Sequence, residues 1–203
     1  SGFEYDWSYM SYSLAANYEL SDDMAVFGSI SKGSRVNADR LGDGGFYSNG
    51  TAADGSVENE LTSFEFGAKV DEDDYSLFAT VFYVETDDVN SESTNANGGA
   101  RVRGYESTGL ELEASTKIGE IDLRGSMTWT DAEIVSSNDA TIIGNTPRRQ
   151  ADFVWSLSPS YQFGDHYVGA TLIGTTDSYS QDNNAYTMDG YTYINLFADF
   201  ALA

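Results

Sequence analysis

The feature that most constrains this chain is a two-residue alternation of apolar and polar side chains, which recurs in segments separated by turn-forming residues. The connectors between these segments also alternate. Short turns lie at residues 20–23, 71–74, 118–120 and 164–165. Each is followed along the chain by a long polar loop, at residues 37–58, 87–100, 135–147 and 177–189. In an up-and-down meander, this order places all the tight turns at one end and all the long loops at the other.

The segments predict nine β-strands, most of which have one apolar face, while the fourth is apolar on both faces. We expect them at residues 7–19, 24–35, 59–70, 75–86, 101–117, 121–134, 149–163, 166–175 and 190–201. Three apolar pairs are predicted to lie on the same side of one continuous sheet: Phe64 with Phe66, Leu110 with Leu112, and Trp155 with Leu157. Long strands with tight turns at one rim and long loops at the other are typical of transmembrane barrels. The predicted fold is therefore all-β, an antiparallel meander that forms a portion of a transmembrane β-barrel, with residues 1–203 as a single segment of it.

Composition narrows the classes of function. The chain has 33 Asp and Glu residues against 10 Lys and Arg residues, a formal net charge of −23, so nucleic acid is not an expected partner. With no Cys and one His, thiolate metal sites and most His-based catalysis are excluded. We therefore expect neither a bound metal nor a cofactor. The acidity fits either simple solubility or loops that attract cationic ligands.

Charged side chains in the middle of strands are the next feature to interpret. Glu111 and Glu113 lie two residues apart on one face, at a spacing of roughly 7 Å that could resemble a glycosidase carboxylate pair. The favoured interpretation is a wet barrel lumen, in which charge is tolerated. The predicted lumen-lining residues are Glu65, Lys69, Glu111, Glu113 and Arg124. His166 stands at the start of a strand beside a turn, and no nucleophile–base arrangement is predicted, so we do not expect an enzyme.

The long loops are the predicted ligand-binding surface, because binding residues concentrate where a rigid scaffold projects connecting segments. Arg40, Phe46 and Tyr47 lie among glycines in the first long loop, and Tyr179 and Tyr186 lie among Ser and Asn in the last. Aromatic rings among adaptable polar residues suit sugars or aromatic chelators. These five residues are the candidate ligand contacts.

Four stretches of the chain resemble a known family. They are residues 18–27 with the following Ser31-Lys32-Gly33-Ser34-Arg35, residues 59–69, residues 102–114, and residues 145–149 with 190–197. They occur in the same order as the strand motifs in the C-terminal half of the barrel of TonB-dependent outer-membrane receptors, which the chain resembles. The likeness covers about residues 10–201. The order and spacing of these motifs carry the resemblance. The family's N-terminal plug domain, its TonB-contacting box and its last strands have no counterpart in this sequence.

The resemblance implies a bacterial outer-membrane protein surrounded by lipid. It implies a ligand-gated receptor for nutrient uptake that binds a siderophore, cobalamin or an oligosaccharide at its outer loops. Contact with TonB would then be made only through N-terminal regions that this sequence lacks. Two alternatives remain open at this point: a passive porin-like or structural outer-membrane barrel, and a secreted β-sandwich binding module. A module that is monomeric without detergent would favour the last.

Overall fold

The computed structural model describes residues 8–36, 58–94 and 100–201, and its main feature is one antiparallel sheet of nine strands. The strands are β1 (Tyr12–Glu19), β2 (Met24–Val36), β3 (Glu58–Glu72), β4 (Tyr75–Thr94), β5 (Ala100–Ile118), β6 (Ile121–Ser137), β7 (Phe153–Phe163), β8 (His166–Thr175), β9 (Ser178–Tyr179), β10 (Thr187–Met188) and β11 (Tyr191–Asp199). In the large sheet, β1 to β8 lie in chain order and β11 follows β8. The short strands β9 and β10 form a separate hairpin within the β8–β11 loop.

The helical content of the described residues is small. A short 3₁₀ helix covers Ala140–Ile142 in the loop between β6 and β7. Within the described part of the chain, no helix has both the length and the apolar character to cross a membrane.

The strand register confirms the predicted faces. Phe66 lies opposite Val81, and the same row continues through Leu110 and Trp129. The next row leads from Leu112 through Met127 to Trp155. Because side chains opposite one another in a sheet share a face, the three apolar pairs predicted to lie together do so. We call this side the apolar face and the opposite side the polar face.

The strands are staggered as well as paired. A single row of register partners crosses the sheet from β1 to β8, and each short-turn hairpin contributes two residues to it. The number of positions between these two residues in the sequence increases from one hairpin to the next. It is 8 for Tyr18 and Val26, 11 for Ala68 and Ala79, 15 for Leu112 and Met127, and 19 for Trp155 and Gly174. Each turn therefore lies about two residues further along the strand direction than the previous one, which corresponds to a strand tilt of roughly 30°. Closing a sheet into a barrel requires such a stagger.

Several strand ends differ from the sequence-based expectation. The predicted long loop at residues 87–100 is mostly strand, because β4 and β5 continue to pair through Asp88 with Arg103 and Asn90 with Arg101. Main-chain pairing does not need apolar side chains, so a hairpin can extend beyond the apolar segment that periodicity detects. Two strands are shorter than predicted, because β7 begins at Phe153 rather than at residue 149, and β1 begins at Tyr12 rather than at residue 7.

The described residues form a single layer, and few of their side chains are buried. The buried hydrophobic residues are Ala25, Ala132, Ile134 and Ile142. Large side chains of the apolar face are open instead: Leu14 is 70% and Leu196 81% exposed. A β-sandwich buries the inner faces of two sheets against each other, so this arrangement rules out the sandwich alternative. The large apolar face requires a non-aqueous surrounding.

Candidate functional site

The two loops that are described at the long-loop rim fold against the sheet. In the β6–β7 loop, the backbone N–H of Ile134 donates to the Asn145 carbonyl at 2.9 Å, and the Gly144 N–H donates to the Ile134 carbonyl at 2.9 Å. Ile134 is completely buried, and Ala132 and Ile142 are buried as well. Since Ala132 and Ile134 belong to the polar face, this loop covers the polar face near the rim.

The β8–β11 loop is joined to the β6–β7 loop by polar contacts. The side-chain amide of Asn184 accepts from the Thr146 N–H at 3.1 Å and donates to the Thr146 carbonyl at 2.8 Å. The Asn145 amide donates to the Asp182 carbonyl at 2.9 Å. The backbone N–H of Arg149 donates to the Tyr179 carbonyl at 2.7 Å. The two loops therefore form one structure, which we call the loop cap (residues 138–152 and 176–190).

A buried ion pair fixes the loop cap to the sheet. Nη2 of Arg103, on β5, lies 2.6 Å from Oδ2 of Asp182 in the β8–β11 loop. The side chains are 2% and 5% exposed. The other carboxylate oxygen, Oδ1, accepts from the backbone N–H of Arg148 at 3.0 Å. Asp182 thus connects both loops of the cap to Arg103.

The surroundings of Arg103 are polar but do not satisfy all its donors. Nη1 is 3.4 Å from the Tyr105 hydroxyl, a long hydrogen bond. Nε has no acceptor, and the contact of Nη2 with Asp182 is close but lacks hydrogen-bond alignment. Asp88 lies opposite Arg103 in the register, and its Oδ1 accepts from the Asn59 amide at 2.8 Å. At this loop end of β5, burial raises the pKa of the Tyr105 phenol, and Arg103 acts in the opposite direction, so the phenol stays protonated at neutral pH.

The five predicted lumen-lining residues all project from the polar face. Glu65 accepts from the Ser29 hydroxyl at 3.1 Å. Glu111 and Glu113 lie opposite Thr128 and Ser126, and both glutamates are exposed. Lys69 and Arg124 lie closer to the short turns, opposite Ala25 and Ser158. Hydroxyl pairs such as Ser126 with Ser156, at 2.7 Å, lie on the same face, which also carries the rings of Phe27 and Phe82.

The predicted ligand contacts are only partly placed. Arg40, Phe46 and Tyr47 lie outside the described residues. Tyr179 is half-buried in the β9–β10 hairpin, and Tyr186 is 67% exposed nearby. Both tyrosines lie within the loop cap, three and four positions from Asp182 in the sequence.

Sequence reasoning missed Arg103 and Asp182. The signal was present: Arg103 is one of only 10 basic residues, and its position in the alternation assigns it to the polar face. Its partner could not be identified, because Asp182 lies in a loop without periodicity, 79 positions away in the numbering. Among the described residues, no group of three or more His, Cys, Asp or Glu side chains is arranged to hold a metal ion.

Comparison of the sequence with protein families gives a match over residues 1–203 to the family described as TonB dependent receptor-like, beta-barrel. No curated protein matches the sequence. Solved structures share the fold at low identity. They include the ferric preacinetobactin receptor BauA of Acinetobacter baumannii (TM-score 0.71, 14% identity, 93% of this chain and 29% of that one).

Two further structures are similar. They are the ferric citrate transporter FecA in its unliganded form (TM-score 0.76, 16% identity, 94% of this chain and 30% of that one), and the ferric yersiniabactin uptake receptor FyuA of Yersinia pestis (0.68, 19%, 92% and 28%). The chain thus spans about 30% of the length of these structures. The match over its whole length shows that the chain belongs to the TonB-dependent receptor β-barrel family and is a protein of the bacterial outer membrane.

Proposed function

We propose that this chain is part of the barrel of a ligand-gated receptor that imports a scarce nutrient across the outer membrane. The observation that carries the proposal is the difference between the two sides of the sheet. The apolar face is exposed and suited to lipid, and the polar face carries charged side chains and is partly covered by the loop cap at one rim. A wall of this kind separates lipid from an aqueous passage. The cap stands where a ligand would meet the protein from outside.

An iron chelate is the substrate class that we favour among the siderophore, cobalamin and oligosaccharide alternatives. Similar structures are described as receptors or transporters of ferric preacinetobactin, ferric citrate and ferric yersiniabactin. Tyr179 and Tyr186 in the cap, and Arg40, Phe46 and Tyr47 in the first long loop, are the proposed ligand contacts. Glu65, Lys69, Glu111, Glu113 and Arg124 are the proposed lining of the passage. We propose no catalytic role for any of them.

Uptake measurements in cells that express the protein test this function. We expect accumulation of labelled iron from a ferric chelate under iron limitation, and we expect it to cease when TonB is absent or the proton gradient is dissipated. TonB contact is proposed to involve regions other than the described residues. Chelate uptake that continues unchanged without TonB would instead support a passive porin-like barrel.

A pair of variants links the uptake to the cap. Tyr186→Ala removes an exposed ring at the proposed mouth, and we expect weaker chelate binding by about tenfold, equivalent to about 1.4 kcal/mol. Tyr161→Ala is the matched control, because this exposed tyrosine lies on the apolar face near the short turns. Equal effects of the two substitutions on chelate binding would contradict the proposed position of the ligand.

A further inference from the structure

We propose that Arg103 is the binding position for a carboxylate group of the ligand, and that in this structure Asp182 occupies the position as a tethered competitor. The proposal rests on the receptor function proposed above and adds a chemical class of ligand and a means of releasing the cap. The Arg103 side chain is 2% exposed and is among the largest fully buried side chains. A guanidinium so far from water needs an anion beside it.

Asp182 meets that need incompletely. Guanidinium has five N–H donors in a planar fork that fits both oxygens of a carboxylate. Here only Oδ2 of Asp182 faces the fork, because Oδ1 accepts from the backbone N–H of Arg148. Nε is left without an acceptor in a buried position. A free carboxylate has no loop geometry to satisfy and could engage the fork through both oxygens.

The two halves of the ion pair belong to different parts of the molecule. Arg103 is held by β5, with pairing on both sides to β4 and β6. Asp182 belongs to the loop cap, which is fixed to the sheet at this point by the ion pair. A ligand carboxylate that takes the place of Asp182 therefore detaches part of the cap from the sheet.

Asp88 limits which anions the position accepts. It lies opposite Arg103 on β4 and is engaged by Asn59, so it stays beside Arg103 when Asp182 leaves. With the Asp88 side chain on the neighbouring strand, the position favours a singly charged carboxylate over a phosphate dianion. A general anion-binding surface would show no such preference for the carboxylate.

Spin-label mobility in outer-membrane vesicles tests the proposal. The chain has no Cys, so Gln181→Cys, at an exposed residue next to Asp182, adds a single labelling position to it. Vesicles that carry the protein without this substitution correct for other labelled cysteines. The probes are acetate, its neutral isostere acetamide and inorganic phosphate at constant ionic strength. We expect acetate to raise the mobile fraction of the label several-fold, acetamide to have no effect, and phosphate to have less effect than acetate.

Four variants of the labelled protein identify the group responsible. Asp182→Asn removes the competing charge, so the label should be mobile without acetate. Arg103→Gln should also be mobile and insensitive to acetate. Arg103→Lys keeps the charge without the fork and should respond more weakly than the parent. Arg148→Gln is the control, because Arg148 donates to Asp182 through its backbone N–H, which this substitution keeps, and the variant should behave as the parent.

An acetate response no larger than that of acetamide would overturn the proposal, and so would an equal response in the Arg103→Lys protein and its parent. The second comparison still decides if Arg103→Gln fails to fold. TonB-dependent uptake together with a label that ignores acetate would remove the carboxylate position and leave the receptor function standing. Absence of TonB-dependent uptake of any chelate would count against the receptor function itself.

Discussion

Single glycines on the polar face make room for aromatic rings of the neighbouring strand. Gly67 lies opposite Phe27, Gly109 opposite Phe82, and Gly169 opposite Phe197. A Cβ built on Gly67 would be 2.3 Å from Cζ of Phe27 and 2.6 Å from the Ala79 carbonyl oxygen. The ring therefore covers backbone that a side chain would otherwise cover, a pairing that helps to fix strand register.

Gly67→Val should destabilise the barrel by about 1–3 kcal/mol, because both the ring and the backbone oxygen must move. The readout is the apparent unfolding temperature in detergent, followed by the loss of heat-modifiable migration on gels. Gly33→Ala is the control, since a Cβ there meets nothing within 4 Å. A Gly67→Val protein as stable as the control would mean that the Phe27 ring does not lie over Gly67.

At the scale of elements, the loop cap is predicted to behave as one unit joined through Asn184. This residue makes two hydrogen bonds to the Thr146 backbone and has a positive φ of 52°. Asn184→Ala should lose both bonds and strain the backbone, which weakens the cap locally by about 1–3 kcal/mol. Limited proteolysis should then cut both loops of the cap faster, while the unfolding temperature of the barrel stays the same.

The control for this variant is Asn183→Ala, which changes an exposed neighbour whose side chain bonds only within its own loop, to the Ala185 N–H. Faster cutting of the β8–β11 loop alone in Asn184→Ala would contradict the joined cap. Faster cutting in both variants to the same degree would show that Asn184 has no special part in it.

Elements also show which parts of the structure the sequence could predict. The number, order and facing of the nine strands in the large sheet followed from alternation, because Phe64, Leu110 and Trp155 each belong to a segment in which every second side chain is apolar. The outer ends of β4 and β5 did not follow, since Asp88 and Asn90 pair through their backbones and have no apolar pattern. The sequence could not predict the pairing of Arg103 with Asp182 for a similar reason. Loop residues meet through backbone geometry, which leaves no periodic pattern of apolar residues in the sequence.

At the scale of the whole molecule, the same nine strands face two different surroundings. Leu112 and Glu113 are neighbours on β5, yet Leu112 lies in the apolar row with Ala79 and Met127, while Glu113 lies opposite Ser126 on the polar face. Because the chain belongs to an outer-membrane barrel family and its apolar face is exposed, lipid contacts the apolar face. A one-residue difference in position should therefore decide whether a charge is tolerated.

Leu112→Arg tests this difference. A cation on the lipid-facing side of a barrel strand near the membrane centre costs about 2–4 kcal/mol, whereas one in the lumen costs little. We expect Leu112→Arg to fold into lipid vesicles with that loss in the free energy of unfolding, measured by denaturant titration. Ser126→Arg, on the exposed polar face of the next strand, should change it by less than about 1 kcal/mol. If the two variants lose equal stability, or Ser126→Arg loses more, then lipid does not cover the apolar face and the two sides of the wall have been assigned wrongly.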